Sequence, residues 1–446
     1  MTNEYVVTMS SLTEFNPNNA RKSYLFDNYE VDPNYAFKAM VSFGLSNIPY
    51  AGGFLSTLWN IFWPNTPNEP DIENIWEQLR DRIQDLVDES IIDAINGILD
   101  SKIKETRDKI QDINETIENF GYAAAKDDYI GLVTHYLIGL EENFKRELDG
   151  DEWLGYAILP LLATTVSLQI TYMACGLDYK DEFGFTDSDV HKLTRNIDKL
   201  YDDVSSYITE LAAWADNDSY NNANQDNVYD EVMGARSWCT VHGFEHMLIW
   251  QKIKELKKVD VFVHSNLISY SPAVGFPSGN FNYIATGTED EIPQPLKPNM
   301  FGERRNRIVK IESWNSIEIH YYNRVGRLKL TYENGEVVEL GKAHKYDEHY
   351  QSIELNGAYI KYVDVIANGP EAIDRIVFHF SDDRTFVVGE NSGKPSVRLQ
   401  LEGHFICGML ADQEGSDKVA AFSVAYELFH PDEFGTEKLE HHHHHH

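Results

Sequence analysis

At 446 residues, 42% of them hydrophobic and 12% aromatic, the chain can bury two or three cores, which excludes a disordered or fibrous class. A formal net charge of -34 repels phosphate backbones, so nucleic acid is excluded as a partner and unaided adsorption to anionic lipid is disfavoured. Three cysteines, with no CxxC spacing and an odd total, exclude a disulfide framework.

Residues 1–11 lack the basic and apolar regions of a secretory signal, so release from the producing cell without a recognisable signal peptide is expected. From about Asp71 to Leu256 the apolar residues recur at three and four, the helical period. Ile72, Ile75, Leu79, Ile83 and Leu86 form one seam, which Ile91, Ile95, Ile98, Ile103, Ile110, Ile113 and Ile117 extend with gaps.

Residues 128–149 carry two faces. At about 100° per residue, Ile130, Val133, Leu137, Leu140, Phe144 and Leu148 share one side, while Asp128, His135, Glu142 and Asp149 gather on the other. Next comes Trp153 to Leu177, a run without one charge that includes Pro160 and Thr164. A segment apolar all round is buried or membrane-bound, and its proline, threonines, Ser167 and Gln169 favour the centre of a soluble bundle over a permanent span. A capping-box pattern at Thr186-Asp-Ser-Asp189 then opens an outer helix with Val190, Leu193, Ile197, Leu200, Val204, Ile208 and Leu211 on one face.

After Lys258 the period changes to two: Val261 to Val263, Ile317 to Tyr321, Leu328 to Tyr332, Ile376 to Phe380 and Phe422 to Tyr426 predict strands. A Pro- and Gly-rich stretch from Ser271 to Gly302 predicts long loops. The β half repeats internally. Ile353-Glu-Leu-Asn-Gly-Ala-Tyr-Ile360 matches Leu399-Gln-Leu-Glu-Gly-His-Phe-Ile406, and two hairpins turn at Asn334-Gly335 and Asp382-Asp383, as three related sheets around an axis would require. Cut at this change of period, the chain divides into an α-helical bundle over 1–258, a β domain over 259–438, and a purification tag over 439–446, with net charges of roughly -23 and -10 on the two domains.

These patterns carry resemblances. Gly357-Ala-Tyr-Ile360 followed by Ile373-Asp-Arg-Ile376 is similar to the β-prism of jacalin-like lectins over roughly 308–428. That family grips sugar with a Gly and an Asp, which implies Gly369 and Asp374 as candidate glycan-binding residues, although four residues separate them instead of three and Ala420 stands at the third repeat's Asp position. Tyr156-Ala-Ile-Leu-Pro-Leu-Leu-Ala163 resembles the central helix of three-domain insecticidal crystal toxins, and Arg236-Ser-Trp-Cys-Thr-Val-His-Gly-Phe244 their last bundle helix. With Asn47-Ile-Pro-Tyr-Ala-Gly-Gly53 and Phe62-Trp-Pro64, the whole chain resembles the B subunits of Photorhabdus insect-related binary toxins.

The resemblance implies a multi-domain α and β fold, a pore-forming helical bundle followed by a β-prism, in a subunit acting on invertebrate gut epithelium. It implies a small jelly-roll A subunit as partner, taking the place of a third domain that would begin where this chain stops. It also implies a host receptor or glycan, a soluble state that passes to the target-cell membrane, and no cofactor. The insertion candidates are then Asp128, His135, Glu142 and Asp149 on the first arm of a helical hairpin, with Trp153, Pro160 and Thr164 on the second. His242-Gly-Phe-Glu245-His246 fits the H-x-x-E-H zinc-protease pattern, but the resemblance assigns that stretch to a packed helix without metal, so neither metal nor catalysis is expected. A lectin or adhesin that forms no pore is the competing reading, and it leaves the helical half without a role.

Overall fold

The computed structural model describes residues 23–26, 37–38, 54–63, 74–224, 227–259, 263, 265, 267–275, 307–317, 323–341, 347–368, 372–390, 395–411 and 419–429. Asn47–Gly53, Pro64, Gly369, residues 276–306 and the tag lie outside them. Two compact units emerge. The first takes the described residues within Met1–Ser23, Pro33–Ala215 and His242–Val263, and the second those within Tyr24–Asp32, Asp216–Val241 and His264 onward.

The first unit is helical: α1 (Phe54–Phe62), α2 (Ile75–Ile83), α3 (Glu89–Ile98), α4 (Lys104–Phe120), α5 (Lys126–Leu132), α6 (Glu152–Ala157), α7 (Leu159–Asp178), α8 (Lys180–Phe183), α9 (Asp187–Asn222, in this unit through Ala215), and, after α10 (Val228–Cys239) of the other unit, α11 (Glu245–Leu256). Starts are capped where the sequence supplies an oxygen. Asn74 and Asp88 accept the N–H groups of Glu77 and Ile91 at 3.0 and 3.1 Å. At α9 the box closes in both directions: Asp189 N–H donates to Thr186 Oγ1 at 3.2 Å and Thr186 N–H to Asp189 Oδ2 at 2.9 Å.

The seam along α3 and α4 contains a five-residue step from Ile98 to Ile103 that an α-helix would rotate off the core. A π-helical turn at Leu99–Ile103 absorbs the extra residue, and both isoleucines stay buried. At the centre lies α7, buried at every position from Leu159 to Leu177.

The second unit is mostly β. Its strands are β1 (Ile268–Tyr270), β2 (Val274–Gly275), β3 (Ile308–Ile317), β4 (Asn323–Tyr332), β5 (Val337–Leu340), β6 (Asp347–Glu354), β7 (Ile360–Asn368), β8 (Ala372–Phe380), β9 (Thr385–Gly389), β10 (Val397–Leu399), β11 (His404–Ala411) and β12 (Ala421–Leu428), all antiparallel in their pairings. The first sheet orders β5-β4-β3-β6, and the same arrangement returns as β9-β8-β7-β10. The remaining strands gather around β12, which pairs with β11, β1 and β2. Among the described residues the ladder of this group is joined to that of the second sheet at the pair Ile406 and Ile360, so the continuous eight-stranded ladder is two sheets joined at a corner.

The repeated turns explain the repeated sequence. Gly357 and Gly403, ahead of β7 and β11, both have positive φ, as do Gly341 and Gly389 at the ends of β5 and β9. At Gly389 a Cβ would sit 2.0 Å from the carbonyl oxygen of Asp374, so the strand crossing tolerates no side chain. Strands β4 and β8 bury alternate residues such as Leu328, Leu330, Ile376 and Phe378, whereas β12 is buried at every position. The reason is α10, which covers it: Tyr229 Oη lies 2.5 Å from Ser423 Oγ, and Ser237 Oγ accepts the Tyr270 N–H at 2.7 Å. Residues 216–241, including Arg236 to Val241 of the stretch that resembles the last bundle helix, thus fall in the unit that holds the strands.

Candidate membrane-insertion segment

Helix α7 opens with Pro160 in its first turn, where a missing N–H costs nothing, and runs twenty residues to Asp178. It is long and apolar enough to cross a membrane, and it is buried here from Leu159 to Leu177. Its threonines turn inward on their own backbone. Thr164 donates to the Pro160 carbonyl at 2.8 Å, Thr165 to that of Leu161 at 2.8 Å, and Thr171 to that of Ser167 at 2.5 Å.

Two other polar groups reach neighbours. Ser167 Oγ accepts Trp250 Nε1–H at 2.9 Å and lies 3.0 Å from His246 Nδ1, which ties α7 to α11. Gln169 Nε2 donates to the Leu137 carbonyl and to Glu141 Oε2, both at 2.7 Å. Burial raises the Glu141 pKa, opposed by this hydrogen bond. Tyr129 of α5 donates to the Tyr172 carbonyl at 2.7 Å, and it can approach only because position 176 is glycine. Glu141 and Gly176 carry no pattern in the sequence; their importance comes from which helix lies opposite.

The arm that precedes α7 departs from expectation. No single helix spans 128–149: α5 passes into a π-helical turn at Val133–Leu137, Gly139 adopts a left-handed φ of 83°, and a 3-10 turn follows at Leu140–Phe144. A regular 100° period ends at the glycine, since its backbone reverses the twist and Gln169 takes up the carbonyl freed at Leu137. The division of faces persists even so. Val133, Leu137, Leu140 and Phe144 are buried while Asp128, His135, Glu142 and Asp149 are exposed. Asp128 lies 3.2 Å from Lys109 Nζ and Glu142 3.5 Å from Lys145 Nζ. Trp153, in the first turn of α6, donates Nε1–H to the Leu86 carbonyl at 2.9 Å.

The zinc-like pattern is interior. His242, Glu245 and His246 are each at most 1% exposed, Glu245 accepts from Lys38 Nζ at 3.0 Å, and Phe37 stacks on the His246 ring. No cluster of three metal-binding side chains occurs among the described residues. In the β unit Asp374 is 7% exposed with its carboxylate 3.6 Å from Arg324 Nε, an internal pairing, while Gly369 is outside the described residues. Cys175, Cys239 and Cys407 are free and buried.

Residues 40–254 match the delta endotoxin N-terminal domain family. No curated protein sequence matches the chain. Among solved structures, the Bacillus thuringiensis insecticidal crystal protein Cry7Ca1 is similar with a TM-score of 0.65 at 10% identity, over 89% of this chain and 74% of that one. The insecticidal delta-endotoxin Cry8Ea1 of the same species gives 0.61 at 10% identity over 89% and 73%. The mosquito-larvicidal Cry4Aa toxin, again from Bacillus thuringiensis, gives 0.59 at 11% identity over 89% and 73%. The chain therefore has the fold of the first two domains of three-domain crystal toxins, a helical delta endotoxin N-terminal domain followed by an antiparallel β domain.

Proposed function

We propose that this protein is the larger subunit of a binary pore-forming toxin acting on invertebrate gut epithelium. The observation that carries the reading is α7, a twenty-residue helix without charge before Asp178 that is hidden at the centre of the helical unit. A helix of about 30 Å matches the hydrocarbon thickness of a bilayer, and its burial keeps the unbound protein soluble. In this mechanism the β unit recognises a receptor or glycan, the segment from Asp128 to Leu177 opens and inserts, and no catalytic step is involved. The polar side of the first arm must then face water, which directs Glu142 and His135 to the conduit with Asp128 and Asp149 toward its ends. The jelly-roll A subunit is supported by the likeness to binary-toxin B subunits carried by Asn47 to Gly53 and Phe62 to Pro64.

Release of a trapped dye from gut-cell vesicles, and conductance across a planar bilayer, test the proposal with and without a jelly-roll partner. Dye release and discrete channels are expected, enhanced by the partner. An intact bilayer in both conditions, with glycan binding preserved, would leave an adhesin instead. Equal activity of the larger chain alone would remove the partner from the scheme.

A further inference from the structure

The helical unit also holds a cavity, walled on one side by the first arm of the proposed insertion segment. It measures ≈ 300 Å³ and lies between the π-helical turn after α5 and the first turns of α9. Tyr129, Val133, Phe185 and Leu193 line it, and Ile138, 49% exposed, stands at its edge. A volume of this order is that of a small-ligand site.

Its polar lining carries two cations, Lys192 and Arg195, beside Thr134, Asn196 and Asp189. Lys192 and Arg195, three apart on one side of α9, are exposed and make no ion pair among the described residues. Several cations elsewhere in this unit are engaged: Lys109 with Asp128, Lys126 with Asp189, Lys254 with Asp202 and Lys257 with Asp198. Asp189, the one acid in the lining, is already held by Lys126 at 3.6 Å and by its hydrogen bonds to Thr186. In a chain of net charge -34, two free cations beside an apolar cavity mark a place where negative charge is wanted.

Apolar walls favour a hydrocarbon body, and a guanidinium and an ammonium at the mouth favour a carboxylate or similar head. We propose that this cavity binds a free single-chain anionic amphiphile of the fatty-acid class. A two-chain bilayer lipid would leave one chain in water, so the occupant is a monomer from solution and not a membrane surface. Because Tyr129 joins the lining to the Tyr172 carbonyl of α7, occupancy also stabilises the closed state of the helical unit.

The test is calorimetric titration of the full chain with dodecanoate below its micellar concentration. Dodecanol serves as the neutral control and phosphatidylglycerol vesicles as the bilayer arm. Saturable one-to-one binding of dodecanoate is expected, at least tenfold tighter than dodecanol. Lys192→Glu and Arg195→Glu should each weaken it about tenfold, whereas Lys192→Arg retains it. Thr134→Trp, at an exposed position of the lining, should block the site without disturbing the core. Absence of dodecanoate binding, equal affinity for dodecanol, indifference to both charge reversals, or binding to vesicles alone would each overturn the proposal.

Discussion

Replacing Gly176 by alanine probes the contact that holds the two arms of the proposed insertion segment together. In an exposed helix this change would stabilise by about 1 kcal/mol through propensity. Here a Cβ at position 176 would lie 2.1 Å from Tyr129 Oη and 2.4 Å from Cζ. The ring cannot step aside, since it is 3% exposed and packed against Phe183 and Phe185 at centroid distances of 4.8 and 5.6 Å. Overpacking costs about 1–3 kcal/mol, and losing the bond to the Tyr172 carbonyl adds about 1 kcal/mol. Set against the propensity gain, a net loss of about 1–3 kcal/mol is expected. Urea unfolding followed by circular dichroism reads it as a lower midpoint at unchanged slope. In a Tyr129→Leu background the same substitution should become neutral or stabilising, a coupling that isolates the contact. A midpoint raised by Gly176→Ala alone, or the same loss in both backgrounds, would refute the packing argument.

Glu142→Gln should lower, and Glu142→Lys invert, the cation selectivity of the proposed pore, read as reversal potentials in asymmetric salt; unchanged potentials with channels still opening exclude this arm as the lining. Burial pushes the Asp230 pKa up to about 6 from an ordinary 3.8, partly offset by the hydrogen bond it accepts from the Ala273 N–H. The folded state therefore binds the proton more tightly, and this group's contribution falls as pH rises from about 4 to about 6. Asp230→Asn should stabilise by up to about 3 kcal/mol at pH 8 and by almost nothing at pH 3, measured by thermal unfolding; a gain independent of pH contradicts this. Gly357→Ala introduces only left-handed strain, about 1 kcal/mol, whereas Gly389→Ala adds a collision with the Asp374 carbonyl; equal losses in urea unfolding would show that the strand crossing is looser than described.

What the sequence discloses depends on whether the cause is local. The box at Thr186 and Asp189 and the repeated glycines at Gly341 and Gly389 are legible because the few residues beside them dictate the backbone. The gap from Ile98 to Ile103 was a flaw in a pattern, and the extra residue of a π turn gives it a meaning. The break at Gly139 could not be read from its own segment, because it depends on Gln169 arriving from another helix to satisfy Leu137. The same holds for residues 216–241, whose helical period cannot say whether helices or strands will cover it. Asp374 stands one residue outside the lectin spacing from Gly369, and its surroundings supply Arg324 as a partner inside the protein.

The inward-turned threonines of α7 bear on how such a helix can change solvent. Thr164, Thr165 and Thr171 carry their hydrogen-bond acceptors with them, one helical turn back along the same chain. Transfer to hydrocarbon leaves those bonds intact. Ser167 instead leaves Trp250 and His246 behind, whereas the partners of Gln169, Leu137 and Glu141, belong to the other arm of the same segment. The polar cost of departure is thus concentrated at Ser167, where a second copy of the helix or a file of water would have to replace what the folded unit supplied.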